Sequence, residues 1–406
     1  MEYALIGEHL THSWSPEIHR QLRGYDYRLC PLCPTALPTF FASRKFRGIN
    51  VTIPYKQAVL PFCDALGAAA RRTGAVNTIV KRGDGTLFGD NTDLAGLQAM
   101  LRMADISLAG KRVLIFGNGG ASLAAQLAAQ DANAAAVFVA SRGGKLNFET
   151  IYTACADAQV ILNATPVGMF PHSGETLADL ARFLQLEAVA DLIYNPLRTR
   201  LLQQAARLGC KTANGLAMLV AQAAAAAEVF TGMAQPVEDT LRVTENLRRS
   251  TENWVLIGMP GCGKSTVGRL LAERAERPFV DVDDEIARRA GLPCAEMIRR
   301  RGEEAFRQLE SETIATLGAR TGLVIATGGG AVLREENVQN LRQNGKLLWI
   351  RRATEALATV GRPLSQNLEV LVQARQPYYE AAADATLAHE EDWNALVEKA
   401  HKIFAR

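Results

Sequence analysis

Residues 258–266 read GMPGCGKST, and Gly258, Gly263, Lys264 and Ser265 satisfy the spacing GxxxxGK followed by Ser or Thr. Glycine at 258, 261 and 263 lets successive backbone N–H groups turn inward on phosphate oxygens. Lys264 is expected to reach the β- and γ-phosphates, and Ser265 to hold Mg²⁺. Gly261, Cys262 and Thr266 complete the cradle, Cys262 as a tolerated small residue. The context is the required one, with the apolar run NWVLIG before the loop and the helical run VGRLLAERA after it. The loop names a nucleoside triphosphate but not the phosphoryl acceptor.

The acceptor must be read downstream. FVDVDDEI at 279–286 ends an apolar run in Asp281 and Asp283, which strand alternation would put on one face. Two carboxylates beyond a phosphate loop suit Mg²⁺ and an acceptor hydroxyl. Asp284 and Glu285 read as a solvated acidic turn. Arg307 in RGEEAFRQLE, Arg362 in GRPL and Arg375 in ARQPYY are planar donors suited to bidentate capture of carboxylate or phosphate. Together with the glycine triplet of TGGGAV at 327–332, they indicate an anionic acceptor.

A second glycine turn lies far upstream. KRVLIFGNGGASLAAQLAAQ at 111–130 reads as strand, turn and helix, with Gly117, Asn118, Gly119, Gly120 and Ala121 in the turn. Ser122 stands where a dinucleotide fingerprint has its third glycine. The next apolar run ends in Ser141 and Arg142 instead of an acidic residue, so a 2′-phosphate is favoured over a free ribose and NADP over NAD, with Lys145 able to assist. Further upstream, HSWSP, INVTIPYK, GAVNT and GDNTD carry Ser13, Ser15, Thr52, Asn77 and Asn91, groups for a polyol pocket. Lys56 and Asp93 would form a proton-transfer pair, the carboxylate keeping the ammonium charged. The alternative is separate loop caps and a surface ion pair.

The elements that must position these groups follow an α/β pattern. YALIG, a helix after Pro16, GINVTIP, a helix from about Lys56 and AVNTIV come first. AAVFVASR, QVILNATP and AVADLIYNP then read as buried strands of a doubly wound parallel sheet, whose ligand is expected at the strand carboxyl ends. NGLAMLVAQAAAAAEVF is an Ala-rich packing helix. The expected organisation is an α/β substrate domain at 1–100 completed by helices at 213–246, a Rossmann-like NADP domain at 101–212, a polar linker at 247–253 and a P-loop α/β domain at 254–406.

The chain has 406 residues, 48% hydrophobic and 21% charged, with net charge +3. This is the balance of a globular protein of several domains; it calls for neither nucleic acid nor a membrane surface. Seven scattered cysteines argue against a disulfide framework, and CPLC at 30–33 lacks the second pair a zinc site needs. MEYALIGEHL has no leader-like character, and a cytoplasmic setting is expected.

Taken together, GxxxxGKST, FxDxD, GExxFRxxE, GGGxV, RPL and RxPxY resemble shikimate kinase over about 150 residues. That resemblance implies MgATP as phosphoryl donor, Asp281 in the Mg²⁺ shell through water and Asp283 on the acceptor hydroxyls. It implies Arg307, Arg375 and Gly328, Gly329 and Gly330 around shikimate, and Arg362 in a closing lid. The lid stretch is shorter than usual, and Val360 stands where the family has an adenine-stacking arginine.

SxS, NVTxPxK, GAVNT, GDNTD, GxGGA, NATPxGM and NGLxMLVxQA over about residues 1–246 resemble shikimate dehydrogenase. This implies Ser13, Ser15, Asn50, Thr52, Asn77, Asp93 and Gln222 around the substrate, with Lys56 and Asp93 catalytic. It implies Tyr194 and Gly215 beside the nicotinamide, and Asn163, Ala164 and Thr165 along the cofactor. The stretch from Arg142 to Asn163 is short for the family, so one strand of the sheet is expected to be missing. The reading is a fusion that reduces 3-dehydroshikimate with NADPH and phosphorylates the shikimate formed, in the pathway to chorismate and the aromatic amino acids. An NAD-dependent quinate/shikimate dehydrogenase and a degenerate regulatory homologue are the alternatives.

Overall fold

The structure is a computed structural model that describes residues 2–10, 13–354, 357, 368–388 and 392–405. Three sheets organise it. The first is mixed: β1 (Tyr3–Gly7), β2 (Tyr27–Pro31), β3 (Gly48–Val51), β4 (Ala65–Leu66), β5 (Thr78–Lys81) and β6 (Leu87–Asp90) lie in the order β2-β1-β3-β5-β6-β4. The second is parallel: β7 (Arg112–Phe116), β8 (Ala136–Ala140), β9 (Val160–Asn163), β10 (Ala188–Asp191) and β11 (Lys211–Ala213) run β11-β10-β9-β7-β8. The third is also parallel: β12 (Asn253–Ile257), β13 (Phe279–Asp281), β14 (Val324–Ala326), β15 (Gly345–Arg351) and β16 (Ala385–Ala388) run β13-β14-β12-β15-β16.

The parallel sheets are covered on both faces, which is why their strands read as unbroken apolar runs. On β7, Val113 and Ile115 enter one core while Leu114 and Phe116 enter another. Between β8 and β9 lies one short helix, Ile151–Ala154, and no further strand, so the second sheet has five strands. The helix expected from Lys56 does not form. Residues 53–59 are turns leading into a 3₁₀ turn at Leu60–Phe62, because Pro54 and Pro61 fix φ and remove backbone donors; the helix begins only at Ala68.

The described chain divides into two compact units. One comprises Met1–Gly168, Glu175–Tyr194 and Leu201–Asn246, and the other Met169–Gly174, Asn195–Arg200 and Leu247–Arg406. Two expected boundaries need correction. Residues 247–253 are no irregular linker, but the last turn of helix Val237–Thr251 and the entry to β12. Their charges close locally: Glu252, 2% exposed, accepts from Arg248 and Arg198 at 2.8 Å each. Residues 169–174 and 195–200, expected within an NADP domain at 101–212, group with the second unit, where Arg198 makes that ion pair. Within the first unit the Ala-rich helix Gly215–Thr231 packs on helix Asp93–Met103. A Cβ on Gly96 would lie 2.8 Å from the Met218 carbonyl oxygen, so the small residue permits the close approach. Among the described residues no helix is long and apolar enough to cross a membrane. All seven cysteines are free.

Candidate active sites

In the first unit, β1 and β3 run parallel and end on one edge of the sheet. Ser13 and Ser15 follow β1, with Ser13 Oγ donating to Ser15 Oγ at 3.1 Å. Thr52 follows β3, and Asn77 reaches the same edge just before antiparallel β5, where its backbone carbonyl accepts from the Val51 N–H at 2.8 Å. Asp93 opens the helix Asp93–Met103, so its carboxylate sits at the favourable end of the helix dipole.

Lys56 Nζ donates to Asp93 Oδ2 at 2.6 Å, with the two side chains 29% and 9% exposed. Asn77 Nδ2 donates to the other carboxylate oxygen at 2.9 Å, and the Asp93 N–H donates to Asn91 Oδ1 at 2.9 Å. The side-chain oxygen of Asn77, Oδ1, is held in turn by the Thr92 N–H at 2.8 Å and the Thr78 hydroxyl at 2.9 Å. The pair is therefore fixed on a buried polar bed, which an exposed surface ion pair lacks. Asn50 lies under this bed with its amide already engaged: Oδ1 accepts from the Tyr27 hydroxyl at 2.8 Å, and Nδ2 donates to the Asn77 carbonyl at 3.1 Å. Gln222 faces the first turn of the Asp93 helix, its Cβ lying 2.9 Å from where a Cβ on Gly96 would sit. Asn91 instead turns its amide to the Ala75 carbonyl at 3.0 Å.

The upstream glycine turn links β7 to helix Gly120–Asp131 and lines a cavity of about 340 Å³ with Asn118, Ser141, Arg142, Ala164 and Thr165. Gly117 has φ of +106°, and a Cβ there would lie 3.1 Å from the Ala164 carbonyl oxygen. Nothing lies within 4 Å of such an atom on Gly119 or Gly120, which leaves room for a diphosphate at the helix N-terminus. Ser122 replaces a glycine without strain: it is fully buried and accepts from Gln126 at 3.3 Å. Asn163 holds β9 to β10 by donating to Asp191 at 3.0 Å. Arg142 borders the cavity and Lys145 is exposed on the same turn. Phe148 and Leu177 line it too, and no spacing marked them in the sequence. Tyr194 lies three residues past β10 and ends the first unit's segment Glu175–Tyr194, and burial raises its hydroxyl pKa. Gly215 opens its helix so close to the chain that a Cβ would lie 2.0 Å from the Leu192 carbonyl oxygen.

The second unit brings its predicted groups around one cavity of about 450 Å³. Gly258, Gly261 and Gly263 have φ of 146°, 82° and 100°, values that favour glycine, and Gly263 caps helix Lys264–Arg274 without a side chain. Cys262 is fully buried inside the loop. Lys264 is 7% exposed and donates to the Gly258 and Met259 carbonyls at 2.9 Å each. Ser265 Oγ donates to Asp281 Oδ2 at 2.6 Å, which joins a hydroxyl and a carboxylate at the mouth of the loop. No cluster of three metal-ligating side chains occurs among the described residues, so Mg²⁺ would need phosphate and water oxygens beside this pair, as that ion commonly does.

Asp283 is not on the strand with Asp281. Asp281 ends β13 and accepts from the Asp283 N–H at 3.0 Å, capping the helix Val282–Ala290 that carries Asp283. Both carboxylates still border the cavity. Enclosure by the cavity walls, then the charges of Asp281 and Glu310, push the Asp283 pKa up to about 6. Arg307 donates to Glu310 at 2.7 Å and Arg375 to the Gly329 carbonyl at 3.1 Å. The glycine triplet is packed against these groups. A Cβ would lie 2.8 Å from Glu310 Oε1 at Gly328, 2.4 Å from the Pro260 ring at Gly329 and 2.4 Å from the Arg307 guanidinium at Gly330. Arg362 and Val360 lie outside the described residues.

Two further residues, each the last of a motif quoted above, gain a role only in space. Glu310, fully buried, closes the motif that contains Arg307, and its Oε1 has no hydrogen-bond partner among the described residues. Tyr379, from the ARQPYY run, donates to the same Gly329 carbonyl as Arg375, at 2.5 Å. The Glu three residues after Arg307, on the same helical face, was the available signal for the first.

Comparison with known proteins follows the same division. A family model described as shikimate dehydrogenase substrate binding domain matches residues 5–79, and one described as shikimate kinase matches residues 260–404. A shikimate dehydrogenase (NADP(+)) of Moorella thermoacetica is 36% identical over 263 residues, covering 58% of this chain and 89% of that protein. The crystal structure of a chorismate mutase/shikimate 5-dehydrogenase fusion from Clostridium acetobutylicum matches with TM-score 0.57 and 32% identity, covering 61% of this chain and 96% of its own. A quinate dehydrogenase from Corynebacterium glutamicum, solved with NAD, matches with TM-score 0.56 and 29% identity over 61% of this chain and 98% of that one.

Proposed function

Because the chain belongs to the shikimate dehydrogenase family and carries a shikimate kinase match in its second unit, we propose that it is a bifunctional enzyme of the shikimate pathway. It reduces 3-dehydroshikimate to shikimate with NADPH, then phosphorylates the 3-hydroxyl of shikimate with MgATP. The observation that carries this reading is the pairing of Lys56 with Asp93 at 2.6 Å in one unit and the convergence of Lys264, Asp283, Arg307 and Arg375 on one cavity in the other.

NADPH, held along the Gly117 turn, would supply the hydride. The chain's own part is the proton and the grip. Lys56, ion-paired with Asp93, donates a proton to the oxygen of the former ketone, and Asp93 restrains the ammonium throughout. Ser13, Ser15, Thr52, Asn77 and Gln222 orient the ring hydroxyls and carboxylate, with Asn50 acting through Asn77. Arg142 next to Ser141 provides the cation for a 2′-phosphate. A second reading, NAD-dependent oxidation of quinate or shikimate, draws on the likeness to the quinate dehydrogenase. A preference for NAD over NADP, or for quinate over shikimate, would decide for it.

In the second unit Mg²⁺, held by Ser265 and through water by Asp281, would offset phosphate charge. Asp283 accepts the acceptor hydroxyl's proton, and Arg307 and Arg375 grip the shikimate carboxylate bidentately. Lys264 leaves its loop carbonyls for the phosphates. The test gives the purified chain 3-dehydroshikimate, NADPH and MgATP, and follows NADPH loss with formation of shikimate 3-phosphate. Loss of NADPH without the phosphate ester would refute the kinase half alone.

A further inference from the structure

Among the described residues, four cations line the kinase cavity: Lys264, Arg307, Arg375 and Arg352. The first three are engaged, Lys264 on the Gly258 and Met259 carbonyls, Arg307 on Glu310 and Arg375 on the Gly329 carbonyl. Arg352 is half-buried and makes no hydrogen bond or ion pair among the described residues. Its neighbour Arg351 is used differently, over the Trp349 ring at 5.8 Å. One arginine of this pair therefore packs, and the other borders the cavity.

The backbone explains where Arg352 stands. β15 runs parallel beside β12 with Trp349 opposite Ile257. The carboxyl end of β15 touches the start of the phosphate loop, where a Cβ on Gly258 would lie 2.5 Å from the Ile350 carbonyl oxygen. Arg352 leaves the strand just beyond that contact. It thus enters the cavity beside the phosphate loop, whereas Arg307 enters from helix Glu303–Gly318 and Arg375 from helix Leu368–Ala382. A half-buried guanidinium without a carboxylate, next to a loop built for polyphosphate, is a site for an anion.

We propose that Arg352 is a phosphate-binding residue of the nucleotide half of this site, gripping the α- and β-phosphates of ATP. The proposal rests on the kinase reading. As the acceptor oxygen bonds to the γ-phosphorus, its proton passes to Asp283. The bond from that phosphorus to the bridging oxygen breaks, and its electron pair stays on the β-phosphate. The guanidinium balances the charge that collects there.

The test uses the full chain with Arg352→Gln and Arg352→Lys, measuring ADP and adenosine binding by calorimetry and steady-state kinetics with ATP and shikimate. The Gln change is expected to weaken ADP about 10- to 100-fold, the range of a lost charged hydrogen bond, and to leave adenosine binding and the KM for shikimate unchanged. It should raise the KM for ATP and lower kcat, while Lys recovers part of both. Arg352→Ala provides the same comparison should Gln fail to fold, as judged by thermal unfolding. Wild-type ADP affinity and kcat in a folded Gln or Ala variant would overturn the proposal. Equal losses of ADP and adenosine would also overturn it, by putting the guanidinium on the base. A wild-type chain that neither binds ADP nor phosphorylates shikimate would overturn the kinase reading itself.

Discussion

Lys56 and Lys264 carry the same ammonium in opposite settings. Lys56 is partly exposed and bound to a carboxylate at 2.6 Å, itself tied to Asn77 and Asn91. Lys264 is 7% exposed and is held by neutral groups of its own loop, the Gly258 and Met259 carbonyls at 2.9 Å and the Cys262 sulfur at 3.8 Å. A proton donor needs a partner that keeps it charged until the alkoxide forms. A phosphate ligand needs the reverse, since a carboxylate alongside would cancel the charge a polyanion seeks. Neutral carbonyls hold the ammonium in place and can be exchanged for phosphate at little cost.

The largest effects should separate the two lysines. Lys56→Ala is expected to lower dehydroshikimate reduction roughly 10²- to 10⁴-fold and spare phosphorylation of added shikimate. Lys264→Ala should lower phosphorylation roughly 10²- to 10³-fold and spare reduction. Paired assays on each variant check this, and loss of both activities in a folded variant would end the idea of independent centres. Asp93→Asn comes next. It keeps the shape but removes the charge that holds Lys56, and reduction should fall about 10²-fold with little change in substrate KM.

A smaller effect tests the wall of the second site. Gly330→Ala places a methyl group 2.4 Å from the Arg307 guanidinium. The KM for shikimate should rise about 10-fold, the loss of one charge-assisted contact, with ATP affinity preserved. An unchanged KM would mean that Arg307 does not grip the acceptor.

A last effect, on stability instead of turnover, concerns the bed beneath Lys56. His19 stacks on Tyr27 at 4.0 Å, and Tyr27 donates to Asn50. Burial pushes the His19 pKa down to about 3. The unfolded chain therefore binds a proton that the folded unit refuses between about pH 6.5 and pH 3. The contribution is complete above the unfolded pKa and is lost as pH falls, by about 1.4 kcal/mol per pH unit. His19→Phe should flatten that acid limb in denaturant titrations of the chain. An equally steep limb in the variant would exclude His19 as its source.

The phosphate loop, the upstream glycine turn, both lysines and the paired arginines were legible because each is a local pattern. A strand, a turn of fixed backbone shape and a helix dipole are built from neighbouring residues, so spacing alone reports them. The helix expected from Lys56 failed because Pro54 and Pro61 outweighed the apolar period. The polar run at 247–253 looked like a linker because its composition does not show that Glu252 is buried between Arg248 and Arg198, the latter from a distant segment. Asp283 was assigned to a strand because three residues of β13 are too few to show where alternation stops.

By itself, then, the amino-acid sequence determined the chemistry available to this protein: two glycine loops of different design, a Lys–Asp combination and a set of planar cations near glycines. Only the tertiary structure decided which of these groups meet. The Lys56–Asp93 bond, the packing of Gly330 against Arg307 and the place of Arg352 beside the phosphate loop depend on segments brought together from distant parts of the chain. Parallel pairing sets those neighbours through burial on both faces of a sheet, a constraint that no local spacing records.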